Sequence, residues 1–166
     1  MNLLGGKIIN FLGVDVSVAI FMAPITFLVT DVVEEVYGKE KVKEFLFSTL
    51  ITLFVVFGFT IVFAKLNPAD RFLFDAEYKT IFLSSARFIL ASIVAFLFGQ
   101  LNDMAVFAFL KKKSAGKHLW IRNNLSTMIS QAVDTLLFMF IAFYHLAPKF
   151  TAAYVISLAI PYYLFK

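Results

Sequence analysis

Long apolar runs alternate with short polar stretches along the chain, and the runs have the length of membrane-spanning helices. A span needs about 20 mostly apolar residues. Val16–Val33 is the first predicted span, with Pro24 as a kink inside it. Phe45–Ala64 is the second and carries no charge; its Ser48, Thr49, Thr52 and Thr60 hydroxyls are expected to bond backbone carbonyls one turn back. Ile81–Leu110 is 30 residues, about 45 Å as one helix, so it must tilt, break or emerge from a hydrocarbon core of about 30 Å. Leu125–Tyr144 is the next span, and Thr151–Phe165, interrupted by Pro161, is a short last run. Asn67-Pro68 and Ala147-Pro148-Lys149 punctuate the chain between runs.

Composition agrees with this pattern. The chain is 61% hydrophobic and 16% charged, with 22 Phe, against about 45–50% apolar and about 25% charged in soluble domains. The predicted fold is therefore all-α, a polytopic transmembrane bundle of five to six spanning helices forming a single integral membrane domain over residues 1–166. There is no cysteine, which excludes disulfides, thiolate metal sites and cysteine nucleophiles. His118 and His145 fall at predicted helix ends with no second ligand at i+3 or i+4, so no metal or other cofactor is expected, and an enzyme is disfavoured.

The net charge of +4 reads as membrane orientation and not as nucleic-acid binding. Lys39, Lys41 and Lys43 form one basic loop; Lys111, Lys112, Lys113, Lys117 and Arg122 form another, with Trp120 as an interfacial anchor. The alternate loops hold Lys65, Arg71, Lys79 and Lys149. Eight cations against four place the two basic loops, and Lys166, in the cytoplasm.

The polar residues inside the runs are the candidate chemistry, because an intramembrane ionisable group is a functional hypothesis by default. Thr30, Asp31 and Glu34 share one helical face at the end of the first run. Arg87, Gln100 and Asp103 interrupt the long run; Thr127, Ser130, Gln131 and Asp134 fall on one face of the next, continued by Phe138 and Ile141. Gln100-x-x-Asp103 and Gln131-x-x-Asp134 echo each other, each with a Phe four residues past the Asp. A carboxylate accepts two parallel hydrogen bonds and a Gln amide both donates and accepts. Side by side they can read a guanine-like edge, with N1–H and the exocyclic amine on the carboxylate and O6 on an amide. The plainer alternative is that Arg87 pairs with Asp103 or Asp134 and joins helices, with Gln131 as further glue. Ala91, Ala95 and Gly99, at four-residue spacing, read as a packing seam.

One stretch carries a resemblance. Pro24-x-x-Phe27-x-x-Thr30-Asp31-x-x-x-Glu35-Val36-Tyr37-Gly38-Lys39 is similar to the signature of the queuosine precursor transporters, six-helix membrane proteins related in fold to vitamin-uptake substrate-binding subunits. Arg87-x-x-x-Ala91-Ser92, Phe98-x-Gln100-x-x-Asp103, Leu119-Trp120-x-Arg122-Asn123, Ser126, Gln131 and Asp134 extend it in order. Glu34 stands where the family usually shows Asn, which adds a charge. The helix that usually opens the family is largely missing, and Met1–Gly13 resembles its end and the following turn.

The resemblance implies a multi-pass protein of the cell (inner) membrane that imports a 7-deazaguanine for tRNA modification: the 7-cyano or 7-aminomethyl base, or queuine. The implied substrate-binding set is Asp31, Glu34, Arg87, Gln100, Asp103, Asn123, Gln131 and Asp134. Expected partners are that small molecule and the lipid bilayer, with a homo-oligomer and an ATPase partner left open. The alternative function is a substrate-binding subunit energised by an ATPase module.

The orientation is directly testable, since any introduced cysteine is the sole thiol. An impermeant thiol reagent added to intact cells should label Ala76→Cys and should reach Ala115→Cys only after permeabilisation; the opposite pattern inverts the topology.

Overall fold

A computed structural model describes residues 5–11, 13–113 and 119–164. The chain opens with an antiparallel hairpin of β1 (Ile8–Phe11) and β2 (Val14–Ser17), in register Ile8↔Ser17 to Phe11↔Val14. Gly13 takes the left-handed conformation (φ 84°) that a tight hairpin turn demands. Asn10 Nδ2 donates across the pair to Asp15 Oδ1 at 3.1 Å. A 3₁₀ segment, Val18–Met22, leads into α1 (Ala23–Tyr37), and Gly38 at φ 81° separates it from α2 (Lys39–Lys65). Then come α3 (Asp75–Lys113), α4 (Leu119–Phe143) and α5 (Ala152–Leu164).

The all-α polytopic class matches expectation, while α1, at 15 residues, and α5, at 13, are shorter than the about 20 that a span needs; two local corrections apply. The predicted span Val16–Val33 is a strand end, a 3₁₀ segment and then a helix from Ala23. Alternation of Val14, Val16 and β-branched neighbours with polar Asp15 and Ser17 has the strand period of two. Ser17 also turns the chain out of the strand: its Oγ donates to the Gly5 carbonyl at 2.7 Å and accepts from the Ala19 N–H at 3.2 Å. The second correction concerns loops. Helix α3 starts at Asp75, well inside the predicted polar loop, and α4 at Leu119, inside the predicted basic one, while the predicted loop cations Lys39, Lys41 and Lys43 open α2 and Lys111, Lys112 and Lys113 close α3. Asp75 and Glu77 suit the positive end of the helix dipole, and Lys79 pairs with Asp75 at 2.6 Å one turn on. Lys117, His118 and Lys166 lie outside the described residues.

Among the described residues three helices are long and apolar enough to cross a membrane: α2, α3 and α4; α5 is a shorter apolar helix. Helix α3 is one unbroken run of 39 residues, about 58 Å, so the long run emerges as helix instead of breaking. The apolar stretch of α2 is unburied, with Phe47, Ile51, Phe54, Phe59 and Val62 all exposed. In a bilayer such a surface faces lipid. Its Ser48, Thr49, Thr52 and Thr60 hydroxyls donate to the carbonyls four residues back at 2.7–2.9 Å, so α2 presents no unmet side-chain hydroxyl to hydrocarbon.

The chain forms two compact units, one up to Ile93 and one over Val94–Leu164, with α3 running through both. The buried residues of the first include Ala86, Phe88, Ile89 and Ala91. Gly6 lies against the Phe88 ring, where a Cβ would sit 3.3 Å from it. In the second unit α4 and α5 form a helical hairpin. His145, with φ 55°, closes it by donating its N–H to the Phe150 carbonyl, while the Leu146 N–H bonds the Phe143 carbonyl. Met139, Ala142, Phe143, Val155 and Leu158 are its core, and Phe143 stacks on Phe150.

Burial and lipid exposure predict opposite outcomes for the same substitution. Phe88→Ala empties a fully buried site and should cost about 3–5 kcal/mol, seen as a clear loss of thermal stability in detergent. Phe59→Ala on α2 should leave the melting temperature nearly unchanged.

Candidate functional site

Polar side chains collect where α3 and α4 meet in the second unit. Three contacts, read along antiparallel helices, define the seam. Gly99 packs against Asp134: a Cβ at Gly99 would come within 3.3 Å of the Asp134 Cβ. One turn further along α3, Asp103 meets Ser130, whose Oγ lies 3.3 Å from Asp103 Oδ1, and Asn102 Nδ2 donates to Ser130 Oγ at 3.4 Å. One more turn along α3, Phe107 meets Arg122, whose guanidinium carbon sits 4.6 Å from the ring centroid. The residues on α3 are spaced by four (99, 103, 107), as are Arg122, Ser126, Ser130 and Asp134 on α4. That spacing keeps each set on one helical face.

The hydrogen bonds in the seam are unequal. A serine hydroxyl has one proton, and that of Ser130 points to the Ser126 carbonyl at 2.8 Å. The 3.3 Å contact with Asp103 is therefore the weak arm. Asp103 is half-buried, and among the described residues that weak contact is the hydrogen bond its carboxylate has. At the other end, Arg122 is only 7% exposed, and its Nε and Nη1 have no hydrogen-bond partner among the described residues.

The sequence-predicted residues divide as follows. Asp103, Gln131 and Asp134 are half-buried in this unit, and Asp103 and Asp134 both lie on the α3–α4 seam. Gln100 is exposed, so the Gln-x-x-Asp echo does not give two equivalent environments. Phe107 carries Arg122, whereas Phe138 stacks on Tyr162 of α5 with centroids 6.5 Å apart. Thr127, expected on the polar face, is exposed. Arg87 is half-buried and belongs to the first unit. The side chains of Asp31, Glu34 and Asn123 lie outside the described set. The small-residue row is buried throughout, at Ala91, Ala95 and Gly99.

Arg122 is the residue that sequence reading misplaced: it counted as a loop cation and is a buried helical one. The four-residue spacing to Ser126 and Ser130 was the available signal. A cavity of about 210 Å³ between α4 and α5 is lined by Ala132, Thr135, Leu136, Ala159, Ile160, Tyr163 and Leu164. Its walls are almost wholly apolar, so it offers little to orient a polar ligand, and the seam is the better candidate.

The long apolar helices α2, α3 and α4 define the class, a polytopic membrane protein. The chain belongs to the family described as "Putative vitamin uptake transporter", whose profile matches residues 17–166. It is 31% identical over 169 residues to a "Probable queuosine precursor transporter" of Bacillus subtilis, covering 96% of this chain and 72% of that one. It is 27% identical over 158 residues to the "Queuosine precursor transporter" of Escherichia coli, covering 95% and 69%. A Haemophilus influenzae protein with the same name as the Bacillus one is 29% identical over 143 residues, covering 86% and 58%. No solved structure matches the chain significantly. The protein is a multi-pass transporter of the cell membrane with a small-molecule substrate.

The close approach at Gly99 makes a specific demand on volume. Gly99→Val should overpack the seam and cost about 1–3 kcal/mol, read as a lower unfolding temperature in detergent. Gly58→Ala on α2, where an added Cβ meets nothing within 4 Å, should be neutral or stabilising by up to about 1 kcal/mol.

Proposed function

We propose that this protein carries a queuosine precursor, a 7-deazaguanine, across the cell membrane as a single integral domain, with the α3–α4 seam as the core of its binding site. The names of its relatives support the substrate class. The observation that carries the site is the pair of half-buried carboxylates, Asp103 and Asp134, facing Ser130 and Gly99 between otherwise apolar helices. Among the described residues Asp103 has only the weak Ser130 contact; a carboxylate so placed in hydrocarbon is costly, so a ligand that brings N–H donors is favoured there.

A deazaguanine supplies such donors from N1 and the exocyclic amine. Asp134 accepts them, Gln131 offers an amide beside it, and Phe138 supplies an aromatic face on the same helix. Asp31, Glu34, Arg87, Gln100 and Asn123 stay in the proposed substrate-binding set on the family resemblance alone. Glu34 adds a negative charge where a cationic substituent would be welcome. The protein is proposed to act without an ATPase module, alone or as a homo-oligomer. Uptake by purified protein in liposomes lacking any ATPase tests this; uptake only with an added ATPase module returns the substrate-binding-subunit reading.

The site is tested by Asp134→Asn. The change keeps size but puts a donor opposite the donors of the ligand. Such a mismatch costs about 1–3 kcal/mol, more where a charge is lost, hence about tenfold or more in affinity. Folding should hold, because Asn is cheaper than a carboxylate in a membrane. Uptake of labelled deazaguanines well below saturation, in cells unable to make them, should fall at least tenfold at unchanged protein level. Normal uptake would remove Asp134 from the site.

A further inference from the structure

Arg122 and Asp103 are an unmet donor and an under-used acceptor in one seam. Arg122 is 7% exposed, its Nε and Nη1 are buried without partners among the described residues, and its guanidinium carbon sits over Phe107, 4.6 Å from the ring centroid. Asp103 stands one turn before Phe107 on α3, about 5–6 Å away between Cβ atoms, and accepts only the weak 3.3 Å contact from Ser130. A buried cation and a half-buried carboxylate on one seam would ordinarily pair, yet no ion pair joins them among the described residues. Phe107 holds the guanidinium on its own ring, and Ser130 holds the carboxylate one turn away.

We propose that Arg122 and Asp103 together read one edge of the substrate: a planar heterocycle displaying a ring carbonyl beside N–H donors. The Arg122 fork donates to the carbonyl oxygen and the Asp103 carboxylate accepts the adjacent N–H and amine. A donor fork and a carboxylate in one seam complement a guanine-type edge, which presents a carbonyl oxygen, a ring N–H and an amine side by side. It rests on the deazaguanine reading and deepens it. Arg122 lies twelve residues before Asp134 on α4, about 18 Å along the axis, too far for one base to touch both. Asp103–Arg122 and Asp134 are therefore successive stations along the seam. Phe107 holds the guanidinium in place before the ligand arrives, which lowers the ordering cost of binding.

The test pairs a protein change with a substrate change. Uptake of a deazaguanine is compared with that of its analogue lacking the ring carbonyl, competing at concentrations below saturation. The wild type should prefer the parent at least a hundredfold, since a site built around a buried donor rejects a ligand that leaves it unpaired. In Arg122→Met, which keeps length and loses the donors, that preference should collapse to less than about fivefold. A purely structural Arg122 would lower uptake of both compounds and leave their ratio intact, and that result overturns the proposal. A wild-type preference below about threefold overturns it without any variant. Asp103→Asn gives an independent reading should Arg122→Met fail to reach the membrane: it should erase discrimination against an analogue lacking the exocyclic amine, and retained discrimination overturns the proposal. Failure of the wild type to take up the parent compound would instead strike the transport reading itself.

Discussion

Everything polar in this protein answers to the absence of water around its helices. A polar group inside apolar helices must find a partner in the protein, face a ligand, or cost stability. Helix α2 meets the constraint locally, each hydroxyl returning to a carbonyl one turn back. Helices α3 and α4 cannot do so, because Asp103, Asp134 and Arg122 carry side chains the backbone alone does not satisfy. They meet the constraint by packing together, and Gly99 removes the bulk that would keep α3 off Asp134. The seam is thus where polar side chains of the second unit meet, and it is where the substrate is proposed to bind.

The same constraint explains a surface that would be alarming in a soluble protein. Phe, Leu, Ile and Val side chains are exposed along α2, and Leu97, Phe98, Leu101 and Met104 along α3. In water such a contiguous apolar surface would aggregate. Against lipid it has no hydrophobic cost, and it leaves packing to be decided by small residues and polar contacts. Ala91, Ala95 and Gly99 are buried for that reason, while far larger apolar side chains face outward.

Under-satisfied groups in a transporter have a natural meaning. A substrate moves only if its binding is good enough to enter and weak enough to leave, which favours several modest stations over one tight site. The weak Ser130–Asp103 contact, and the Arg122 Nε and Nη1 that have no partner among the described residues, suit the proposed stations.

The sequence by itself determined the class of the protein. Apolar run lengths, charge asymmetry and the absence of cysteine defined a polytopic helical membrane protein, and the spacing of Ser130 and Asp134 put them on one side of one helix. Periodicity could do this because helix geometry is local: residues four apart share a face whatever the neighbours. It misjudged the ends of elements, where Val14–Ser17 forms a strand and Asp75 and Leu119 begin helices, since boundaries depend on turn and capping contacts that apolar runs do not encode. Tertiary structure alone decided which polar residues meet. Gln100 and Gln131 stand in matching motifs, yet one is exposed and the other half-buried. Arg122 sits among basic residues in the sequence, yet folds onto Phe107 of the neighbouring helix. Those outcomes depend on the register of α4 against α3, a relation between segments far apart in the chain.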